Sequence, residues 1–208
     1  MENIKNIIFD LGGVIIHLNF NRTRTAFLEL GLTDFDSVYS KAKQNELFDA
    51  FDKGEVSPAT FREEIRKHIG KEVSNEEIDV AWNAMLLDVP KEKLEILKQL
   101  KGKYRTFLLS NTNVIHVENF SNELQRVHGI ADFSDYFEKC YYSCSIGRRK
   151  PDASTFEFVL RENQLNPAET LFIDDSEQHL EGAKRCGLHT YFHQQNTPLQ
   201  SLLQFIGF

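Results

Sequence analysis

Cysteine is scarce, with three in 208 residues: Cys140, Cys144 and Cys186. The number is odd and no pair stands at a C-x-x-C spacing, which excludes a full disulfide framework and the common zinc pattern. Three ordinary thiols in a reducing cytoplasm are the expectation. No apolar run approaches the ~18 residues of a membrane-spanning helix. The first residues reach Asp10 after too short an apolar stretch for a secretory signal. No repeat or low-complexity tract is present. Positive charge is in deficit, with 24 Lys and Arg against 31 Asp and Glu for a net charge of −7. That argues against a broad surface for nucleic acid or an anionic membrane, although a local pocket can oppose the global sign. What the chain does contain is core-forming residues. A 41% hydrophobic composition with 17 Phe is not that of a disordered chain. A chain of this length buries roughly 70% of its unfolded surface, so it needs no disulfide or metal staple to fold.

Short apolar runs alternate with longer amphipathic stretches. Asn6 to Phe9, Thr106 to Leu109, Thr170 to Ile173 and His189 to Phe192 each have the length of a strand buried on both faces. Helical spacing marks Lys91 to Lys101, with Pro90 at its start. It also marks Ala153 to Asn163, Gln178 to Cys186, with Gly187 as a stop, and Leu199 to Ile206. This alternation predicts an α/β fold, a Rossmann-like doubly wound parallel sheet covered by helices.

Between His17 and Thr106 no buried strand is evident. Phe20 to Leu30, Val38 to Phe51, Pro58 to His68 and Glu76 to Leu86 read as helices. Ser57-Pro58 is a helix start, and Ser74 with Glu77 has capping-box spacing. Residues 17–88 are therefore expected to be an inserted all-helical unit, leaving a discontinuous core of 1–16 plus 89–208.

Three of the strands run into polar groups: Asp10, Ser110-Asn111 and Asp174-Asp175. In an open parallel sheet, ligands bind at the carboxyl ends of the strands, so these distant residues are expected to share one crevice. A single Asp after a strand is usually a turn residue; three polar strand ends are harder to dismiss. Clustered carboxylates repel unless a cation sits among them. Mg²⁺, a hard ion taking oxygen ligands and often substrate phosphate, is the first expectation. Lys150, in Arg148-Arg149-Lys150-Pro151-Asp152, reads equally as a solvated basic turn or as a fixed cation for phosphate.

Together these residues resemble the haloacid dehalogenase-like superfamily, specifically its phosphatases with a small helical cap after the first strand. Phe9-Asp10-Leu11-Gly12-Gly13-Val14 resembles the first motif, Leu109-Ser110-Asn111-Thr112 the second, Lys150-Pro151-Asp152 the third and Phe172-Ile173-Asp174-Asp175-Ser176 the fourth. Phe48-Asp49 with Gly54 to Ser57, and the wording of Ser110 to Asn113, are most similar to bacterial sugar-phosphate phosphatases, α-D-glucose-1-phosphate phosphatase-like proteins in particular. The resemblance implies that Asp10 is a nucleophile forming an aspartyl-phosphate. It implies that Ser110, Asn111 and Lys150 bind phosphate. It also implies that Mg²⁺ is held by Asp10, the Gly12 carbonyl and an acidic residue of the last motif, Asp175 ahead of Asp174. The substrate expected is a small phosphorylated metabolite such as a sugar phosphate, in a cytoplasmic monomer or dimer.

One position departs from the family pattern. The residue two after the nucleophile is usually an Asp acting as general acid/base, and here it is Gly12. General acid–base help is typically worth about 10²–10⁴-fold. Three readings follow, in order: a phosphatase of good leaving groups; a phosphatase in which His17 or His179 substitutes for the acid; and a non-catalytic phosphate-binding or regulatory protein. The Asp174-Asp175 pair argues against metal-free dehalogenation, and Gly12 against phosphomutase chemistry. Phe20, Asn19, Arg22, Phe48, Phe51 and Trp82 are the inserted residues considered for facing the crevice, helix-bundle core being the commoner role for the aromatics.

Overall fold

The computed structural model describes residues 3–35 and 46–207. Five strands form one parallel sheet: β1 (Asn6–Phe9), β2 (Arg105–Ser110), β3 (Lys139–Tyr142), β4 (Thr170–Asp174) and β5 (His189–Phe192), in the order β3-β2-β1-β4-β5. The helices, in chain order, are α1 (Phe20–Glu29), α2 (Glu46–Asp52), α3 (Pro58–Arg66), α4 (Asn75–Asn83) and α5 (Lys91–Lys101). They continue with α6 (Val114–His128), α7 (Ser143–Ile146), α8 (Ala153–Glu162), α9 (Glu177–Arg185) and α10 (Gln200–Ile206). The expected doubly wound α/β architecture is the one observed.

The central strands are apolar throughout because both of their faces are covered. Successive side chains of a strand point to opposite faces. Ile7 and Phe9 of β1, Leu108 of β2, and Leu171 and Ile173 of β4 join one buried cluster, with Leu97 and Leu100 of α5, Phe120 of α6 and Leu202 of α10. Ile8, Phe107, Leu109 and Phe172 point the other way, into a second cluster with Phe156 and Val159 of α8 and Leu180 of α9. Register is set by this double burial, since a one-residue slip would exchange the two faces.

A third cluster belongs to α1–α4. Phe27, Phe51, Phe61, Ile65, Ile78 and Trp82 pack among themselves, with Ile115 of α6 joining from outside. Phe51 and Phe61 stack at 4.2 Å. Two expected helix starts are present. Ser57 caps α3 by accepting from the Thr60 amide at 3.1 Å. Ser74 and Glu77 form the reciprocal capping box of α4. Of the helix expected over Val38 to Phe51, residues 38–45 lie outside the described residues; α2 is its described part. Chain enters and leaves this helical segment through one narrow ladder. His17 donates to Asp88 O at 3.0 Å, Leu87 donates back to His17 O at 2.9 Å, and Leu18 bridges Leu86.

Three elements escaped the sequence reading: β3, α6 and the single-turn α7. β3 is an edge strand in which only Tyr141 is buried, so its residues never form an apolar run. α6 spans 15 residues but buries Ile115, His116, Phe120 and Leu124 while exposing Val114 and Val127. A buried His and exposed Val blur its periodicity. Its signals were the caps, Asn113 accepting from His116 N at 3.1 Å and Gly129 at φ 69°.

Phe172 lies fully buried on β4 with its ring 5.2 Å from that of Phe156. Phe172→Ala is expected to cost about 3–5 kcal/mol, as large-to-small core changes do. Urea unfolding followed by circular dichroism measures it.

Candidate active site

The strand order places β2, β1 and β4 side by side, so their carboxyl ends meet. Asp10 follows β1, Ser110 ends β2, and Asp174 ends β4 with Asp175 next. The Asp10 amide donates to Ile173 O at 2.8 Å, continuing the β1–β4 ladder up to the site. Lys150 arrives from the turn between α7 and α8. Its ammonium is fully buried, and Nζ donates to Asp10 Oδ1 and to Asp174 Oδ2, both at 2.7 Å.

Further contacts hold this arrangement. Asn111 donates through Nδ2 to Lys150 O at 2.8 Å and accepts from Lys150 N through Oδ1 at 2.9 Å. Its side chain therefore fixes the backbone of Lys150, while the residue itself lines the cavity. Ser143 Oγ accepts from Thr112 N at 2.8 Å and donates to Thr112 O at 2.9 Å, clamping the turn after β2. Asp174 also accepts from Ser176 N at 2.8 Å and faces His179 Nδ1 at 3.0 Å. Gly13 has φ 77°, and a Cβ there would stand 2.3 Å from Asp175 Oδ2. Only glycine lets the chain turn under that carboxylate.

The electrostatics separate the three carboxylates. Burial would raise all of them. At Asp174 the Lys150 charge and the His179 contact outweigh burial and hold the carboxyl below its ordinary range. Asp10 is raised, because burial and the Asp174 charge exceed the help from Lys150. Asp175 is pushed up to about 7 by burial and then by the charges of Asp10 and Asp174. Lys150 is opposed by burial but held charged by Asp10 and Asp174, which raise it. Oxygens of Asp10, Asp174 and Asp175 all lie within 4.8 Å of one another. Such a set is short of positive charge, and a divalent, oxygen-ligated cation such as Mg²⁺ fits it. Asp174 already serves Lys150, Ser176 and His179, so Asp10 and Asp175 are the carboxylates better placed to take one up.

A cavity of about 720 Å³ opens over these groups, lined at its floor by Asp10, Gly12, Ser110, Asn111 and Asp175. Phe20, Phe48 and Trp82 line it from the helical segment. Phe51 instead stacks in the helical core, Asn19 caps α1 and Arg22 is exposed. His179 lines the cavity, whereas His17 does not. The His17 ring pairs with Asp88 at 3.1 Å, on the ladder that connects the helical segment to the sheet.

Sequence reasoning missed the far wall. Arg149, next to Lys150, pairs with Asp49 of α2 at 2.5 Å and lies 4.0 Å from Asp52. Asn113 donates to Asp52 at 3.2 Å and accepts from Trp82 Nε1 at 3.3 Å. The His116 ring stacks on Trp82 at 4.8 Å. The available signal was two carboxylates one helical turn apart beside Phe48, with an arginine adjoining the lysine. Burial raises Asp52 to about 6 against the pull of Arg149, and lowers His116 to about 4.

Three comparisons bear on this geometry. The family model for haloacid dehalogenase-like hydrolases matches residues 4–187. D-ribitol-5-phosphate phosphatase of Bacteroides thetaiotaomicron is 33% identical over 193 residues, covering 90% of this chain and 91% of that protein. A wild-type HAD family enzyme of the same organism, solved with magnesium and inorganic phosphate, superposes with TM-score 0.87 at 36% identity, covering 96% of this chain and 98% of the other. A HAD-like family hydrolase of Porphyromonas gingivalis superposes with TM-score 0.89 at 33% identity, covering 98% of each chain.

Asp52 and His116 have opposite effects on acid stability. Asp52 holds its proton more tightly folded than unfolded, so ionising it costs stability as pH rises from about 4 to 6. His116 is kept neutral by the fold, so stability falls as pH drops from 6.5 to about 4, by about 3 kcal/mol for a shift of that size. Asp52→Asn removes the first effect and leaves the second. Its Tm should fall more steeply than that of the wild type between pH 6.5 and 4, as thermal melts across that range would show.

Proposed function

The chain belongs to the haloacid dehalogenase-like hydrolase family, and on that premise we propose that it is a magnesium-dependent phosphatase of small phosphomonoesters. The observation that carries this reading is Asp10 beside a buried lysine, with Asp175 across from it at the neighbouring strand end. The relative active on D-ribitol 5-phosphate and the neighbour holding magnesium and phosphate support it. A sugar or polyol phosphate is the substrate class. The likeness to α-D-glucose-1-phosphate phosphatase-like proteins makes an anomeric sugar phosphate one member to test.

The Asp10 carboxylate attacks phosphorus in line, forming an O–P bond to the enzyme as the bond to the leaving-group oxygen breaks. Water then cleaves the aspartyl-phosphate, releasing inorganic phosphate and regenerating Asp10. The Lys150 ammonium neutralises charge on Asp10 and on the phosphoryl oxygens, and the Ser110 hydroxyl donates to one of those oxygens. Asp174 and Asn111 are positioning residues, holding the Lys150 ammonium and backbone. Asp10, the Gly12 carbonyl and Asp175 would hold Mg²⁺, which when bound supplies charge neutralisation at the phosphoryl group. We assign the helical segment, residues 17–88, the part of a cap whose Phe48 and Trp82 cover the leaving group and exclude water. Gly12 offers no proton to the leaving group, so the chemistry suits leaving groups that need little acid help.

Turnover of p-nitrophenyl phosphate and a panel of sugar and polyol phosphates with Mg²⁺ tests the reading. Asp10→Asn should reduce kcat on the order of 10³-fold or more, and EDTA should abolish activity reversibly. Wild-type rates equal to those of Asp10→Asn would leave a phosphate-binding protein instead.

Gly12→Asp supplies the missing acid. A Cβ at this position meets only Leu18, its Cδ1 at 2.8 Å, the far end of a flexible side chain. The variant should gain on alkyl phosphates relative to p-nitrophenyl phosphate, within the factor of about 10²–10⁴ that such a group supplies. An unchanged ratio would show that proton donation does not limit the enzyme.

A further inference from the structure

The part of the cavity wall that α2 contributes has its own charge pattern. Asp49 and Asp52 of α2 both line it, with Arg149 between them. Arg149 is engaged with Asp49 at 2.5 Å and is only 14% exposed. It offsets one of the two carboxylates and leaves the wall acidic. His116 adds no positive charge, being buried and held neutral well below its ordinary range. Phe48 and Trp82, rings 5.4 Å apart, supply apolar faces beside the carboxylates. Carboxylates accept hydrogen bonds and donate none, so what meets this wall well is a donor without negative charge.

We propose that Asp49 and Asp52 are specificity-determining residues that select phosphomonoesters whose remaining chain is neutral and hydroxylated, and reject those carrying a second anion. This rests on the phosphatase reading above. Hydroxyl groups of the leaving group donate to Asp49 and Asp52 while its carbons lie against Phe48 and Trp82. A terminal carboxylate or second phosphate there faces like charge in a partly enclosed cavity, where repulsion is poorly screened. The Asp49–Arg149 pair also joins α2 to the turn that delivers Lys150. The selecting wall and the phosphate floor therefore share one short stretch of backbone, Arg149-Lys150.

The test compares a pentitol 5-phosphate with the matching 5-phosphopentonate, the same carbon chain ending in CH₂OH or in carboxylate. Full-length enzyme with Mg²⁺ should favour the pentitol phosphate in kcat/KM by about tenfold or more. Asp49→Asn removes one negative charge and releases Arg149 toward the cavity. It should narrow that ratio by about fivefold or more, chiefly by lowering KM for the phosphopentonate. Asp49→Glu, which keeps the charge, should restore the preference. If Asp49→Asn does not fold, Asp52→Asn reads the same ratio. Equal wild-type rates on both substrates overturn the proposal, as does a folded Asp49→Asn that keeps the ratio or loses equally on both. Those outcomes leave the phosphatase reading standing. A wild type inert toward both substrates and toward p-nitrophenyl phosphate removes that reading and the proposal together.

Discussion

Lys150 lies wholly inside the protein, and it remains an ammonium there because two carboxylates stand 2.7 Å from its Nζ. Burying a lone charge costs several kcal/mol, and such a cost is met only with close partners of opposite sign. The dependence runs both ways. Asp174 stays ionised in full burial because Lys150 and His179 face it. Asp10 is kept beside a cation at the floor of a cavity. Most of the site can be understood as what is needed to keep this triad in place. Asn111 grips the Lys150 backbone, Ser143 clamps the turn after β2, and Gly13 clears room for Asp175.

The sheet makes the triad possible without strain in any one element. Parallel strands bring residues 10, 110 and 174 to one edge because β2, β1 and β4 are neighbours. Their apolar bodies sit between two hydrophobic clusters, so the polar residues fall where the burial ends. The third cluster packs the helical segment largely on its own side chains, with Ile115 and the His116–Trp82 stack joining it to α6 and polar contacts joining it to Arg149 and Asn113. The two chain connections to the segment run side by side, tied by the hydrogen bonds of the His17–Asp88 ladder.

The legible parts of this protein were those with strong local signals. β1, β2 and β4 carry apolar runs buried on both faces, whereas His189 to Phe192, expected to be buried likewise, is an edge strand with no buried residue; two helices between β1 and β2 announce themselves by Ser57-Pro58 and the Ser74–Glu77 box. β3 was not legible because an edge strand has one partner and little burial, and α6 because it buries His116 while exposing Val114 and Val127. At the site, residue types were readable and their partners were not. The side-chain amide of Asn111, next to the end of β2, also binds both the N–H and the carbonyl of Lys150, a contact no local pattern announces. His17 lies seven residues after Asp10 and turns to Asp88 instead of the cavity.

By itself the sequence determined the alternation of buried strands and amphipathic helices, and with it a parallel sheet and the edge at which polar strand ends collect. It also determined the departure at Gly12, since an absent side chain is visible without coordinates. Only the tertiary structure decided that Asp10 and Asp174 are the carboxylates that pair with Lys150, because that depends on distances between residues far apart in the chain. It likewise decided the far wall. Asp49 and Asp52 share α2, but Asn113 and Arg149 reach them from other parts of the chain, and that meeting leaves no pattern along the sequence. Periodicity reports burial one element at a time; the meeting of charges across elements is set by packing.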